Sequence, residues 1–554
     1  MPSAQKRCPV STDELPVRRS DASPAEKPGL LRSQLTRDRY AVPLCAVAVT
    51  APLYAIWAVF LATGGGDLAA QLAWAGFVSR SPSSAYNLFW YGGMHTANYS
   101  VISPQLMALF GVRTVSVLAG LASSWLVGVL MVRAGVRRPL WPALLAALAL
   151  WCDVVSGRTT FALGTAFALA ACLVVTGGAR KLVAAPMLAA LATLASPVAG
   201  LFLVVAGAGW LLAGDWPRAS VLLLPPAVVV GATTLLFPFQ GEQPMSLGRV
   251  WQPSCLALAV VVFAPRAWRV LRNAAAVYAV GIVLTYLIPS PIGTNVERLS
   301  ELAAPAALLA CALQPVPRRL RSLVSIGAAV SVAVSSGWVI KKTADDITVS
   351  TEVPAWASHT DGVVRELAAL RADRTRVEVV PARNHREADV LASHVNMARG
   401  WNRQLDVERG RLFYDGTLSE ASYRDWLNHW AVGYVVLHDG KPDGPAEQEA
   451  ALVRSGPGWL DPVWHDSHWS IYRVRSAPAL VTGPAQVVSS DGSEVVIKAR
   501  RKGPVLVRIV FSSWLHADGG ACLKRAGDWV RLTAPAAGTY RLSSEYRLPW
   551  ANGC

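Results

Sequence analysis

From Tyr40 to Ile340 the chain is a series of apolar runs, most about 17–25 residues long, separated by short polar or basic clusters. In hydrocarbon every backbone amide and carbonyl must be bonded within its own segment, so runs of this kind fold as helices. The runs lie near 40–63, 112–132, 139–155, 159–177, 182–196, 197–213, 219–237, 252–265, 274–289, 299–314 and 320–340. They predict about eleven spans, with a tight turn at Ser196-Pro197 dividing two of them.

The spacing of charges supports this reading. Only 16% of the 554 residues are charged, against about 25% in an ordinary soluble chain. The deficit falls within 40–340, whereas 341–554 has the composition of a soluble region. Arg133, Arg137 and Arg138, then Arg180 and Lys181, Arg218, the trio Arg266, Arg269 and Arg272, and finally Arg318, Arg319 and Arg321 follow the even-numbered runs. Odd-numbered exits carry Asp67, Asp153, Glu242, Glu297 and Glu301. By the positive-inside rule the N-terminus is cytoplasmic and everything after Lys342 is extracytoplasmic, in a multi-pass plasma-membrane protein. The net charge of +16 therefore reflects topology, and nucleic acid is not an expected partner.

Residues 1–39 are polar and aperiodic and read as a disordered cytoplasmic tail. Beyond the membrane region, 341–476 alternates helical stretches (362–371, 385–397, 423–429) with strands at 376–380, 434–437 and 470–474, which suggests an α/β layer. Residues 477–554 show short alternating strands and turn residues, the pattern of a β-sandwich. Trp514, Trp529 and Trp550 there are either a sugar platform or, more simply, sandwich core. Cys522 and Cys554 are the two cysteines of this exported region and are available to form a disulfide.

The long first outer loop, 64–104, draws attention because bare connectors between helices are usually short. Asp67 opens it, ahead of Leu68, Leu72 and Ala75 at helical spacing, so a short helix is expected to lie along the membrane surface. Asp67 then has two compatible roles: N-cap of that helix, or general base toward an acceptor hydroxyl. The loop continues through Phe89-Trp90-Tyr91-Gly92-Gly93 to His95, Asn98 and Tyr99.

An early outer-loop Asp, a lateral helix and the closing segment WYGGMHTANYSVISP resemble the polytopic glycosyltransferases that use lipid-linked sugars (GT-C fold). The segment Pro291–Leu299 is similar to a feature of actinobacterial membrane proteins of this type. The resemblance covers about 40–340. It implies a polyprenyl-phosphate-linked sugar donor, a cell-envelope glycan or lipid acceptor, a membrane-lipid environment, and Asp67 as catalytic base. Many members carry an Asp-Asp or Asp-Glu pair, whereas Asp67 has no acidic neighbour; a divalent metal stays an option, with no cofactor assured.

Around this core stand further candidates. Arg298 with Asn295 suits a phosphate clamp, because a guanidinium fork matches phosphate oxygens; Glu297 is placed to pair with Arg298. Other donor-binding candidates are His95, Trp90, Tyr91 and Arg158. Each has a plainer alternative, namely a turn hydrogen bond, interfacial aromatics, and an Asp153–Arg158 ion pair. Glu242 and Asp153 are the second-acid candidates. The expected protein is thus a polytopic α-helical, GT-C-like membrane protein with an exported α/β plus β-sandwich region. The alternatives are a membrane transporter of a small solute or lipid, which the lack of an internal repeat disfavours, and a non-catalytic envelope scaffold.

Overall fold

The computed structural model describes residues 28–178, 182–315 and 321–546. Arg180, Lys181, Arg318, Arg319, Trp550 and Cys554 lie outside the described residues, as does the tail before residue 28. Over the described residues every predicted apolar run forms helix. The first, α1 (Pro28–Ile56), ends in a π-turn at Trp57–Leu61. It starts well before residue 40, so residues 28–39 belong to the helix rather than to a disordered tail. Three helices follow it: α2 (Asp67–Arg80), α3 (Ser103–Phe110) and α4 (Val112–Arg133). Then come α5 (Leu140–Val155), α6 (Thr159–Val175), α7 (Ala185–Ala195), α8 (Pro197–Leu212) and α9 (Trp216–Leu236). The helical half closes with α10 (Trp251–Phe263), α11 (Arg269–Leu287), α12 (Glu297–Ala312) and α13 (Arg321–Ser350).

Five of the described helices are long and apolar enough to cross a membrane: Arg39–Leu61, Val112–Arg133, Trp216–Leu236, Arg269–Leu287 and Val324–Ser350. Shorter apolar helices fill the bundle between them. Ser196, extended at φ −157° and ψ 118°, separates α7 from α8. The proline ring that follows disfavours helical backbone at this residue and itself suits a first helical position.

The C-terminal half begins with a four-stranded sheet in the order β1 (Arg376–Val379), β2 (Val432–His438), β4 (Trp469–Val474), β3 (Leu460–His465). β1 and β2 are parallel and the remaining pairs antiparallel. The stretch 385–397 departs from the expected helix: one turn, Glu387–Val390, is helical, and irregular backbone surrounds it. Its side chains are spent on tertiary ties instead, with Arg386 bonded to Ser350 O (2.7 Å) and His385 stacked on Trp401.

The chain then forms two facing antiparallel sheets. One has the order β10 (Cys522–Ala526), β11 (Trp529–Ala534), β8 (Gly503–Val510), β5 (Val481–Thr482). The other has the order β6 (Ala485–Ser490), β7 (Glu494–Ala499), β12 (Gly538–Ser544), β9 (Leu515–Ala517). Alternate residues such as Val495, Ile497, Val505, Val507, Leu532 and Leu542 fill the space between them. This inward–outward alternation is the period that marked the strands in the sequence. Of the expected cysteine pair, Cys522 opens β10.

The loop from 64 to 104 is packed into both C-terminal units. Trp74, Phe77, Phe89, Trp90 and Tyr91 share one core with Val377, Val379, Val436 and Ile471. Tyr86 and Leu88 join the sandwich core. Helix α2 is buried on several faces, with Leu68, Ala69, Ala70, Gln71, Ala73, Trp74, Ala75 and Phe77 all shielded. The short helix expected from the spacing of Leu68, Leu72 and Ala75 is present, and the C-terminal half packs against it through Trp74 and Phe77. Trp90 is completely buried, and a Cβ on Gly400 would come within 2.1 Å of its ring. We expect Trp90→Ala to lower stability by about 3–5 kcal/mol, measured as a fall in the thermal unfolding midpoint of the detergent-solubilised protein.

Candidate functional site

A cleft of about 210 Å³ lies where the ends of the helical half meet the C-terminal half. Asp67, Gln71, Trp74 and Tyr99 come to it from the first loop, Arg158 and Arg298 from helix ends, and Lys342 from within α13. Gln243, Arg249, Thr294 and Asn295 line it from two further loops, and Trp401–Gln404 close it from the C-terminal half.

Asp67 begins α2, but Gly66 occupies the N-cap position and no side chain caps this helix end. The capping role is therefore not the one Asp67 plays. The glycines before it permit close packing: a Cβ on Gly65 would meet Ser350 O at 2.5 Å. Gly66 N donates to Asn384 O (2.7 Å), which fixes the start of the helix. The Asp67 carboxylate stays 36% exposed, 3.9 Å from Arg158 Nε and 3.9 Å from Arg298 Nη2. Both separations exceed hydrogen-bond distance, so its lone pairs are unoccupied by either arginine.

Both arginines are held from behind. Arg158 Nη1 donates to Glu301 Oε2 at 2.6 Å and to Asp153 Oδ1 at 3.4 Å. Lys342 binds Glu301, and lies 3.4 Å from Glu297. Glu297 also faces Arg249 at 3.2 Å, so its partners are Arg249 and Lys342 rather than the neighbouring Arg298. Arg298 instead lies over the Phe161 ring, 5.3 Å from its centroid. The turn before it is fixed by Tyr278, whose hydroxyl donates to Val296 O (2.6 Å) and accepts from Ser300 N. Arg158 Nε and Arg298 Nη1 are buried with no hydrogen-bond partner among the described residues. Buried guanidinium donors left unpaired are costly, and their usual explanation is a ligand or solvent that completes them.

Arg403 adds a fifth cation from the C-terminal half. It donates to Asp443 Oδ2 at 2.8 Å and to the Tyr414 hydroxyl at 2.5 Å. Burial works against its charge, but the nearby oxygens of Tyr414, Asp443 and Asp406 outweigh that and raise its pKa. The cleft is thus cationic, with a single carboxylate. A divalent cation does not fit this donor set, because Asp67 is the only acidic residue of the lining and five cations surround it. Among the described residues no group of three or more His, Cys, Asp or Glu is placed to hold a metal.

The structure therefore gathers Asp67, Arg158, Arg298 and Asn295 into one place, with Asp153 behind Arg158. Other candidates lie elsewhere. Tyr91 is fully buried; its hydroxyl donates to Gly400 O (3.0 Å) and accepts from Asn402 N (3.1 Å). It positions the Trp401–Gln404 wall and has no face left for a sugar. Trp90 is enclosed in the same core. Glu242 is tied through its backbone to Gln404 O and does not line the cleft. Trp514 is buried against the end of α9, donating to Leu236 O (2.6 Å) and stacking on Phe237. Gln71, Trp74, Arg249, Lys342 and Trp401–Gln404 were missed. Gln71 and Trp74 carried a signal, since they follow Asp67 at helical spacing. The others reach the cleft only through tertiary folding.

His95 belongs to the joint with the sandwich. Its Nδ1 faces Ala85 O at 2.6 Å and its Nε2 faces Ser512 Oγ at 2.9 Å. A carbonyl only accepts, so Nδ1 carries the proton and the serine hydroxyl donates to Nε2. Burial, aided by Arg409 and opposed by the Ala85 carbonyl, lowers its pKa from 6.5 to about 4. In that window the unfolded chain binds a proton that the folded one refuses. The resulting stability is complete above about pH 6.5 and is lost as pH falls toward 4. We expect this group to account for a loss of about 3 kcal/mol over that range. His95→Gln should flatten that part of the pH dependence, read from thermal unfolding between pH 7 and 4.

No family model and no curated protein matches the chain. Among solved structures, the single-particle cryo-EM structure of the arabinofuranosyltransferase AftD from Mycobacteria is similar to it. The TM-score is 0.45 and the identity 16%, over 82% of this chain and 41% of that one. The chain therefore spans about two-fifths of that protein's length.

Proposed function

We propose that the chain is a membrane glycosyltransferase of the GT-C kind. It moves a sugar from a polyprenyl-phosphate donor to a cell-envelope glycan or lipid on the outer face, with Asp67 as general base. The observation that carries this reading is the pair of buried, unpartnered guanidinium nitrogens, Arg158 Nε and Arg298 Nη1, beside the Asp67 carboxylate. An anion with several acceptor oxygens satisfies both nitrogens at once, and phosphate has that shape and charge. Asn295 and Lys342 border the same space.

The reaction follows from these positions. The acceptor oxygen attacks the anomeric carbon as its proton passes to the Asp67 carboxylate. The bond from that carbon to the phosphate oxygen breaks, and its electron pair stays on the phosphate. Arg158 and Arg298 stabilise the charge that develops there; Glu301 and Asp153 hold the first and the Phe161 ring backs the second, so both are in place before the reaction starts. In this reading about eleven helical crossings leave the N-terminus cytoplasmic and the C-terminal half outside.

Asp67→Asn should reduce transfer from a polyprenyl-phosphate sugar in proteoliposomes by about 10²–10⁴-fold with an unchanged unfolding midpoint. Full activity would remove Asp67 from the base role. Topology has a separate check: Lys441→Cys, at an exposed loop, should react with a membrane-impermeant thiol reagent on intact cells. Absence of labelling there, with labelling after permeabilisation, would place the C-terminal half inside.

A further inference from the structure

Asp67, Gln71 and Trp74 stand at positions i, i+4 and i+7 of α2, the spacing that puts side chains on one helical face. All three line the cleft. Gln71 and Trp74 are nearly inaccessible, at 4% and 2% exposure, yet Gln71 Oε1 and Trp74 Nε1 have no hydrogen-bond partner among the described residues. Native structures rarely leave buried polar atoms unpaired, and two on one face of one helix point to a common ligand.

Resting on the donor reading above, we propose that Gln71 and Trp74 form the subsite that recognises the transferred sugar. They set specificity through its hydroxyls. The chemistry is complementary: Gln71 Oε1 accepts, Trp74 Nε1 donates, and a sugar hydroxyl does both. The polarity of the cleft fits as well. The unpaired cationic donors lie at the Asp67 end, where they suit a phosphate. The neutral acceptor and donor lie farther along α2, about 6 Å and 10 Å beyond Asp67 by the rise of the helix. A sugar ring joined to the phosphate extends along that interval. Tyr99, its ring centroid 4.7 Å from that of Trp74, and Trp401 supply aromatic walls. Arg158 and Arg298 thus read the phosphate that all such donors share, and α2 reads the part that differs among them.

The test compares binding of decaprenyl phosphate with that of its mannosyl and arabinofuranosyl esters to the full-length protein in nanodiscs. Gln71→Met and Trp74→Phe remove the polar atoms and keep the bulk. The wild-type protein is expected to hold at least one ester more tightly than decaprenyl phosphate. Each variant should weaken that ester by about 10-fold or more while leaving decaprenyl phosphate unchanged. Equal weakening of ester and free lipid, no weakening of either, or a wild-type protein without preference would overturn the sugar subsite. The donor reading is tested independently by Arg298→Gln, which should weaken all three lipids. Unchanged decaprenyl phosphate binding in that variant would overturn the phosphate clamp instead.

Discussion

A guanidinium withdrawn from water must be matched by opposite charge, and Arg158 is the place where this constraint is strongest. Its side chain is 9% exposed and is shared among Glu301, Asp153 and Asp67. Glu301 also takes Lys342, and Glu297 takes Lys342 and Arg249. These ties join the ends of α5, α6 and α12, the interior of α13 and the turn before α10. Removing one partner from such a set leaves an uncompensated buried charge, which is far costlier than losing a surface pair. The arrangement is also directional. The glutamates and Asp153 occupy the rear of the cluster, so the side facing the cleft is left cationic, with Asp67 as its one acidic member.

A second constraint acts through apolar surface. The loop between α1 and α3 supplies Trp74, Phe89, Trp90 and Tyr91 to a core otherwise built from the α/β sheet, and Tyr86 and Leu88 to the sandwich. The aromatic and glycine cluster that supplied the donor-binding candidates Trp90 and Tyr91 is thereby a structural joint. Its effect on the site is indirect: the Tyr91 hydroxyl holds Gly400 and Asn402, and Asn402 in turn caps the helix Arg403–Arg409.

Much of this was legible in the sequence, for identifiable reasons. Long apolar runs have few alternatives to helix, and Ser196-Pro197 admits little but a break. The alternation in Glu494–Ala499 and Gly503–Val510 is a strand period that folding preserved. Asp67, Arg158, Arg298 and Asn295 were visible because polar side chains at the ends of apolar runs are few. The stretch around Arg386 was misread because its composition suits a helix, while its actual bonds go to Ser350 and Thr63. Trp401–Gln404 carries no local pattern at all. Its place in the cleft depends on contacts with Tyr91 and Pro291, which are distant in the chain.

The divided origin of the cleft has a bearing on biosynthesis. Asp67 and Arg158 emerge early from the ribosome, Arg298 and Lys342 later, and the Trp401–Gln404 wall later still. A chain made from its N-terminus therefore inserts its charged helix ends before the piece that encloses them exists. Until the C-terminal half has folded back onto the loop, the arginines lack the Trp401–Gln404 wall that closes the cleft. Completion of the cleft is in that sense the final docking step of the protein's own synthesis.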